Sequence, residues 1–96
     1  MKNAVGPVLR MSEDVEAIIA AIEEDNPGTE IEVIDRGAYV RIQAEQHMKV
    51  TRASIERYIG RAFEMRQFEP MMSAFAGRIE TTSDAILWSF KREEET

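Results

Sequence analysis

Cysteine is absent from the 96-residue chain. Its absence excludes disulfides, iron–sulfur clusters, thiolate metal sites and cysteine nucleophiles together. Histidine occurs once, at His47, so catalysis by His–Ser, His–Cys or multi-histidine constellations lacks its parts. No apolar run approaches the ~18 residues of a membrane span. No apolar stretch follows Met1-Lys2-Asn3-Ala4 as it would in a signal peptide, so the expected compartment is the cytoplasm. Basic side chains are the minority, 12 against 18 acidic, for a net charge of -6. That balance argues against a polyanion partner such as nucleic acid. The five glycines, at 6, 28, 37, 60 and 77, are scattered over turn positions and form no phosphate loop.

What is present suits one small soluble domain spanning 1–96, with flexible ends at 1–4 and 92–96. Hydrophobic residues at 44% are enough for a core. A chain of this length buries only about 60–65% of its unfolded surface, which leaves no room for a deep internal site.

Val5-Gly6-Pro7-Val8-Leu9 reads as a short strand. Pro7 has no backbone donor, which places that strand on a sheet edge or makes it irregular. Ser12 reads as a helix N-cap, and Val15, Ile18, Ile19 and Ile22 form one apolar helical face over 13–24. Asn26-Pro27-Gly28 stops the helix in the manner of a type II turn. Alternation then predicts a half-buried strand over 30–34, with Ile31 and Val33 inward. A turn at Asp35-Arg36-Gly37 and a second strand over 38–43 complete a hairpin. In that second strand Val40 and Ile42 face one way, Tyr39 and Arg41 the other. A short third strand over 47–50 precedes a helix capped by Thr51 and closed by Gly60. Strands are expected over 66–71, 76–80 and 85–90, with Ile86, Trp88 and Phe90 on one face of the last. A charged tail, Lys91-Arg92-Glu93-Glu94-Glu95-Thr96, follows. The order β-α-β-β-β-α-β-β-β defines an α+β domain with antiparallel sheet packed on two or three helices. The pattern leaves open whether there is one sheet or two.

The chemistry-bearing candidates are few. His47 has no second ligand at helical or strand spacing and reads as a solvated loop histidine. Glu23-Glu24-Asp25 set three carboxylates at the negative end of the helix dipole, either for docking or simply because that end is solvated. Asp35, Arg36 and Glu69 lack a nucleophile or enclosed pocket beside them, so ion pairing on a hairpin accounts for them better than acid–base chemistry. Met71 and Met72, adjacent on an expected strand, point one inward and one outward, and the outward one is an interface candidate. Ser73-Ala74-Phe75-Ala76-Gly77 places one ring among small residues, suited either to close approach of a partner or to a bend within the sheet. These residues point to a non-catalytic protein-binding module.

Three blocks carry a resemblance that spans residues 5–90. Glu24-Asp25-Asn26-Pro27-Gly28 leads into Asp35-Arg36-Gly37-Ala38-Tyr39-Val40-Arg41-Ile42. Thr51-Arg52 and Ile55-Glu56 lead into Gly60-Arg61-Ala62-Phe63-Glu64. Ser73-Ala74-Phe75-Ala76-Gly77-Arg78-Ile79 follows. In this order and spacing the chain resembles the effector, or coupling, proteins of bacterial multicomponent diiron monooxygenases. Val5 to Arg10 is most similar to the toluene and related arene branch. Ala62, where the family often has proline, and Pro70 depart from the pattern. The resemblance implies a protein without cofactor or metal of its own, monomeric when free, that docks on the diiron hydroxylase. Docking tunes the hydroxylase's active site, couples electron delivery to product formation, and extends to competition with the ferredoxin or reductase. The docking residues favoured are Asp25, Asn26, Gly28, Tyr39, Arg41, Met72, Ser73, Phe75 and Gly77. The alternatives are a generic interaction or assembly module and, more remotely, a small enzyme using surface carboxylates.

Overall fold

The computed structural model describes residues 1–90; the charged tail lies outside the described residues. Strand β1 (Ala4–Arg10) leads into helix α1 (Val15–Asp25), then β2 (Glu32–Asp35), β3 (Tyr39–Glu45) and β4 (His47–Thr51). Helix α2 (Arg52–Ile59) is followed by two 3-10 turns (Met65–Gln67 and Glu69–Met71) and by β5 (Met72–Ala76), β6 (Arg78–Thr81) and β7 (Ala85–Ser89). The α+β class and the antiparallel pairing are as expected from the sequence. There are two sheets, ordered β2-β3-β1-β5 and β4-β7-β6.

The hairpin forms where alternation placed it, with Val33 opposite Ile42 and Asp35 opposite Val40. Its turn is fixed by Gly37 at φ 85°, whose N–H donates to Asp35 Oδ1 at 2.8 Å. Val33 nevertheless stays 39% exposed, because β2 is the outer strand of its sheet. The turn after α1 is also as predicted: Gly28 has φ 77° and the Thr29 N–H donates to the Asn26 carbonyl.

β1 takes the second of the two alternatives that Pro7 left open. The strand lies inside its sheet, between β3 and β5. It is irregular instead: the β1–β3 register pairs Val5 with Ala44 and Val8 with Arg41 but skips Gly6 and Pro7. A missing donor costs nothing where the ladder is already interrupted. Gly6 is what permits the interruption, for its φ is 138° and a Cβ there would stand 2.1 Å from the Ile42 carbonyl oxygen.

The helix starts two residues later than the Ser12 reading. Asp14 holds the cap position, and Ser12 Oγ accepts from the Asp14 N–H instead. Val15, Ile18, Ala21 and Ile22 are buried, whereas Ile19 is only half-buried. α2 behaves as read: Thr51 Oγ1 accepts from the Ser54 N–H, and Gly60 closes the helix at φ 84°. No strand forms over 66–71. A capping box between Glu64 and Gln67 starts one tight turn, and Pro70 in the first turn of the next fits a 3-10 segment. Met71 and Met72 consequently do not alternate, and both lie half-buried against the core.

One core holds α1, both sheets and the 3-10 segment, centred on Leu9, Ile18, Ile42, Phe63, Phe68 and Trp88. Ile86 and Trp88 face inward as expected; Phe90 falls past the strand and is 36% exposed. Trp88 is fully buried, tilted on Phe68 at 6.0 Å, and its Nε1–H has no hydrogen-bond partner among the described residues. Among the described residues no helix is long and apolar enough to cross a membrane.

Candidate docking surface

The acidic end of α1 is used inside the molecule. Asp25 Oδ2 accepts from the Thr51 N–H at 2.7 Å and from its hydroxyl at 3.0 Å, and Oδ1 accepts from Ser54 Oγ at 2.7 Å. The carboxylate thus sits at the unfavourable end of α1 and at the favourable N-terminus of α2, which offsets the conflict seen in the sequence. Glu24 joins the same two helices, accepting from the Tyr58 hydroxyl at 2.6 Å and pairing with Arg57.

Asn26 is equally committed. Its Nδ2 donates to the carbonyls of Ile22 (2.6 Å) and Lys49 (2.8 Å), and its Oδ1 accepts from the Lys49 N–H at 3.1 Å. A residue favoured for docking is thus spent on the fold: the side chain acts as a one-residue strand along β4. Asn26→Ala therefore costs about 1–3 kcal/mol. Urea denaturation checks this, and a change under 0.5 kcal/mol contradicts the geometry.

Glu56 is held in a similar way. The Phe63 backbone N–H donates to its Oε2 at 2.9 Å, and Arg52 Nε donates to the same oxygen at 3.2 Å. Chiefly through the Phe63 N–H, and then through Arg52, the carboxyl titrates below the usual glutamate range. A pKa lower in the folded than in the unfolded chain adds stability above the unfolded value and loses it as pH falls through the folded one. Glu56→Gln should therefore flatten the loss of stability below about pH 4.3. Denaturant midpoints of both proteins from pH 7 to pH 2.5 measure it; parallel curves would remove Glu56 from the account.

Tyr39 and Arg41 project from the face of the four-stranded sheet opposite to buried Val40 and Ile42. The register puts Arg10 beside Tyr39, and sets Val8 between Arg41 and Ala74. The result is a strip across β3, β1 and β5 with two arginines, one 44% exposed tyrosine ring and small residues between them. In β5, the Ser73 hydroxyl donates inward to the Val8 carbonyl at 3.3 Å, while Phe75 is 43% exposed rather than part of the core. Gly77 is required by the fold, since a Cβ would stand 2.7 Å from both the Ser89 carbonyl oxygen and Val5 Cγ1. Gly28 has open space around it.

The nine candidate residues accordingly fall into two places. Tyr39, Arg41, Ser73 and Phe75 share the four-stranded sheet, with Met72 and Gly77 at the ends of its β5 strand. Asp25, Asn26 and Gly28 belong to the turn beside β4. Sequence reading missed Arg10 and Val8, although their alternation in β1 carried the signal. It also missed a groove of about 710 Å³ on the outer face of the three-stranded sheet, where the 25–29 turn stands beside His47, Lys49, Arg78 and Leu87.

Two antiparallel sheets on two helices, with one polar-aromatic sheet face left open by the described residues, define a small interaction domain. A profile of the MmoB/DmpM family matches residues 3–89. The chain is 43% identical over 90 residues to the effector subunit of the alkene monooxygenase system of Xanthobacter autotrophicus (strain Py2), covering 94% of this chain and 89% of that protein. It is 22% identical to the stimulatory component DmpM of phenol 2-monooxygenase from a Pseudomonas species, over 95% of this chain and 99% of that one. Among solved structures it is similar to the chain matched in a phenol hydroxylase–regulatory protein complex, with TM-score 0.77 and 25% identity over 92% of this chain and 99% of that chain. The regulatory protein B of soluble methane monooxygenase shares the fold, with TM-score 0.71 and 24% identity over all of this chain and 74% of the other. The chain belongs to the MmoB/DmpM family.

Proposed function

We propose that this chain is the effector subunit of a multicomponent hydrocarbon monooxygenase, acting by binding its diiron hydroxylase. The carrying observation is the 43% identity to an effector subunit over nearly the full length of both chains. The similar chain matched in a regulatory-protein complex with phenol hydroxylase supports a hydroxylase as the partner. In this reading the chain is an allosteric ligand: it favours the hydroxylase conformation it binds better, and the iron chemistry stays with the hydroxylase. The finer points of the proposal are a free monomer and docking that excludes the ferredoxin or reductase.

The uncovered sheet face is the docking surface proposed here. Arg41 and Arg10 supply charge, Tyr39 supplies rigid amphipathic area, and exposed Ala74 beside buried Val8 keeps the surface low enough for a partner helix. The 25–28 turn contributes by holding α1 to β4 rather than by offering free polar groups.

NADH-dependent substrate oxidation by the purified hydroxylase and its electron donors, with and without this chain, tests the proposal. Addition of the chain should stimulate product formation per NADH consumed. Arg41→Glu should raise the concentration needed for half-activation at least tenfold while leaving stability within about 0.5 kcal/mol, as for a surface change. Unchanged activation by Arg41→Glu would move the docking face elsewhere; no stimulation by the unaltered chain would overturn the function.

A further inference from the structure

The three-stranded sheet gives Met48, Val50, Ile86 and Trp88 to the core. Alternation then turns His47 and Lys49 of β4, Leu87 and Ser89 of β7, and Arg78 and Glu80 of β6 outward, and all six are exposed. The register orders them into two rows. His47, Ser89 and Arg78 lie side by side across the three strands, and Lys49, Leu87 and Glu80 form the next row. Along the β4 edge stands the 25–29 turn, pinned there by the Asn26 amide on both backbone groups of Lys49. With the turn as one wall, this face becomes the groove of about 710 Å³. That volume lies within the range of about 300–1,000 Å³ usual for small-molecule sites.

Charge is unevenly placed in the groove. Asp25 lines it, but both of its oxygens accept hydrogen bonds from Thr51 and Ser54. Lys49 and Glu80 stand on either side of Leu87 with opposite charges, so the second row is neutral with an apolar centre. The first row holds a guanidinium and an imidazole about 10 Å apart at their Cα atoms, two strand spacings, with one small hydroxyl between them and no carboxylate. Neither Arg78 nor His47 takes part in an ion pair among the described residues.

We propose that this groove binds a small organic carboxylate, with its head over Ser89 and its apolar chain on Leu87. Arg78 offers the head a planar pair of N–H donors, the arrangement best matched to a carboxylate. The Ser89 hydroxyl and a ring N–H of His47 are further donors on the same row. Leu87 is 40% exposed, and covering it favours a ligand with an apolar chain. The site shares no residue with the strip across β3, β1 and β5, so it does not depend on the hydroxylase reading.

Sodium hexanoate titrated to about 50 mM at constant ionic strength tests the site, followed by the amide resonances of the isotope-labelled chain. The amides of Lys49, Arg78 and Ser89 should shift and saturate, with a dissociation constant of about 1–10 mM for so small a ligand. Hexanol has the chain without the charge and inorganic phosphate the charge without the chain; each should bind at least about tenfold more weakly. Arg78→Gln should weaken hexanoate at least about fivefold, whereas Arg66→Gln, an exposed charge outside the groove, should leave it within about twofold. Ser89→Asp sets a carboxylate at the centre of the first row and should abolish binding while the unliganded spectrum keeps its dispersion. No saturation by 50 mM, hexanol or phosphate binding as tightly as hexanoate, shifts centred outside the groove, equal effects of the two arginine variants, or binding that survives Ser89→Asp would each overturn the proposal.

Discussion

Replacing Gly6 by alanine is expected to cost at least about 4 kcal/mol, most of the stability of a small domain at the low end of the usual range of about 5–15 kcal/mol. Two effects combine. A φ of 138° is one that L side chains rarely adopt, and the added methyl would stand 2.1 Å from the Ile42 carbonyl oxygen and 3.1 Å from Met48 Cε. The methionine end can move. The carbonyl cannot, since Ile42 is fully buried in β3 and holds its neighbours in register. The internal control is Gly28→Ala, at φ 77° with open space around it, which should cost only about 1–2 kcal/mol of backbone strain. Urea midpoints of the two variants make the comparison. If they match, Gly6 does not lie against the Ile42 carbonyl as described.

Removing the Asp25 carboxylate should be the next largest loss, about 3 kcal/mol for Asp25→Ala. Hydrogen bonds to an ionised group contribute about 1.5–3 kcal/mol each and do not add fully. Three are lost here, and Ser54, only 4% exposed, keeps a hydroxyl with nowhere to donate. Asp25→Asn keeps an acceptor for one or two of them and should recover part of the loss. Hydrogen exchange locates the effect: amides of α2 should lose protection before those of β3, because Asp25 ties the start of α2 to the end of α1. Uniform loss across the molecule would assign Asp25 a global packing role instead.

Where local chemistry decides, the fold could be read directly from residue order. The 32–45 hairpin follows from alternation and a glycine turn, the end of α1 from Pro-Gly, and α2 from Thr51 and Gly60. The division into two sheets could not be read. It depends on β1 meeting β5 and β4 meeting β7, pairings between segments distant in the chain that carry no local signature. Pro7 left edge and irregularity undecided for the same reason, since the choice depends on where the neighbouring ladder breaks. The 65–71 segment was legible in principle. Met65 and Phe68 are buried and Met71 half-buried at intervals of three, the repeat of a 3-10 helix rather than of a strand. In the candidate site, Asp25 and Asn26 look alike in sequence whether they bond inward or outward; only their distances to Thr51, Ser54 and Lys49 decide it. Tyr39 and Arg41 were placed correctly because the period of a strand fixes their face once Val40 and Ile42 are known to be buried.

The lone tryptophan makes the protein its own spectroscopic gauge. Trp88 is shut away from solvent with an indole N–H that bonds to none of the described residues, so its emission should be blue in the native state and move to the red only on unfolding. The outer face of the four-stranded sheet does not include that ring. A titration that leaves the emission fixed while mobility or activity changes is therefore reporting association, and one that reddens it is reporting loss of the core.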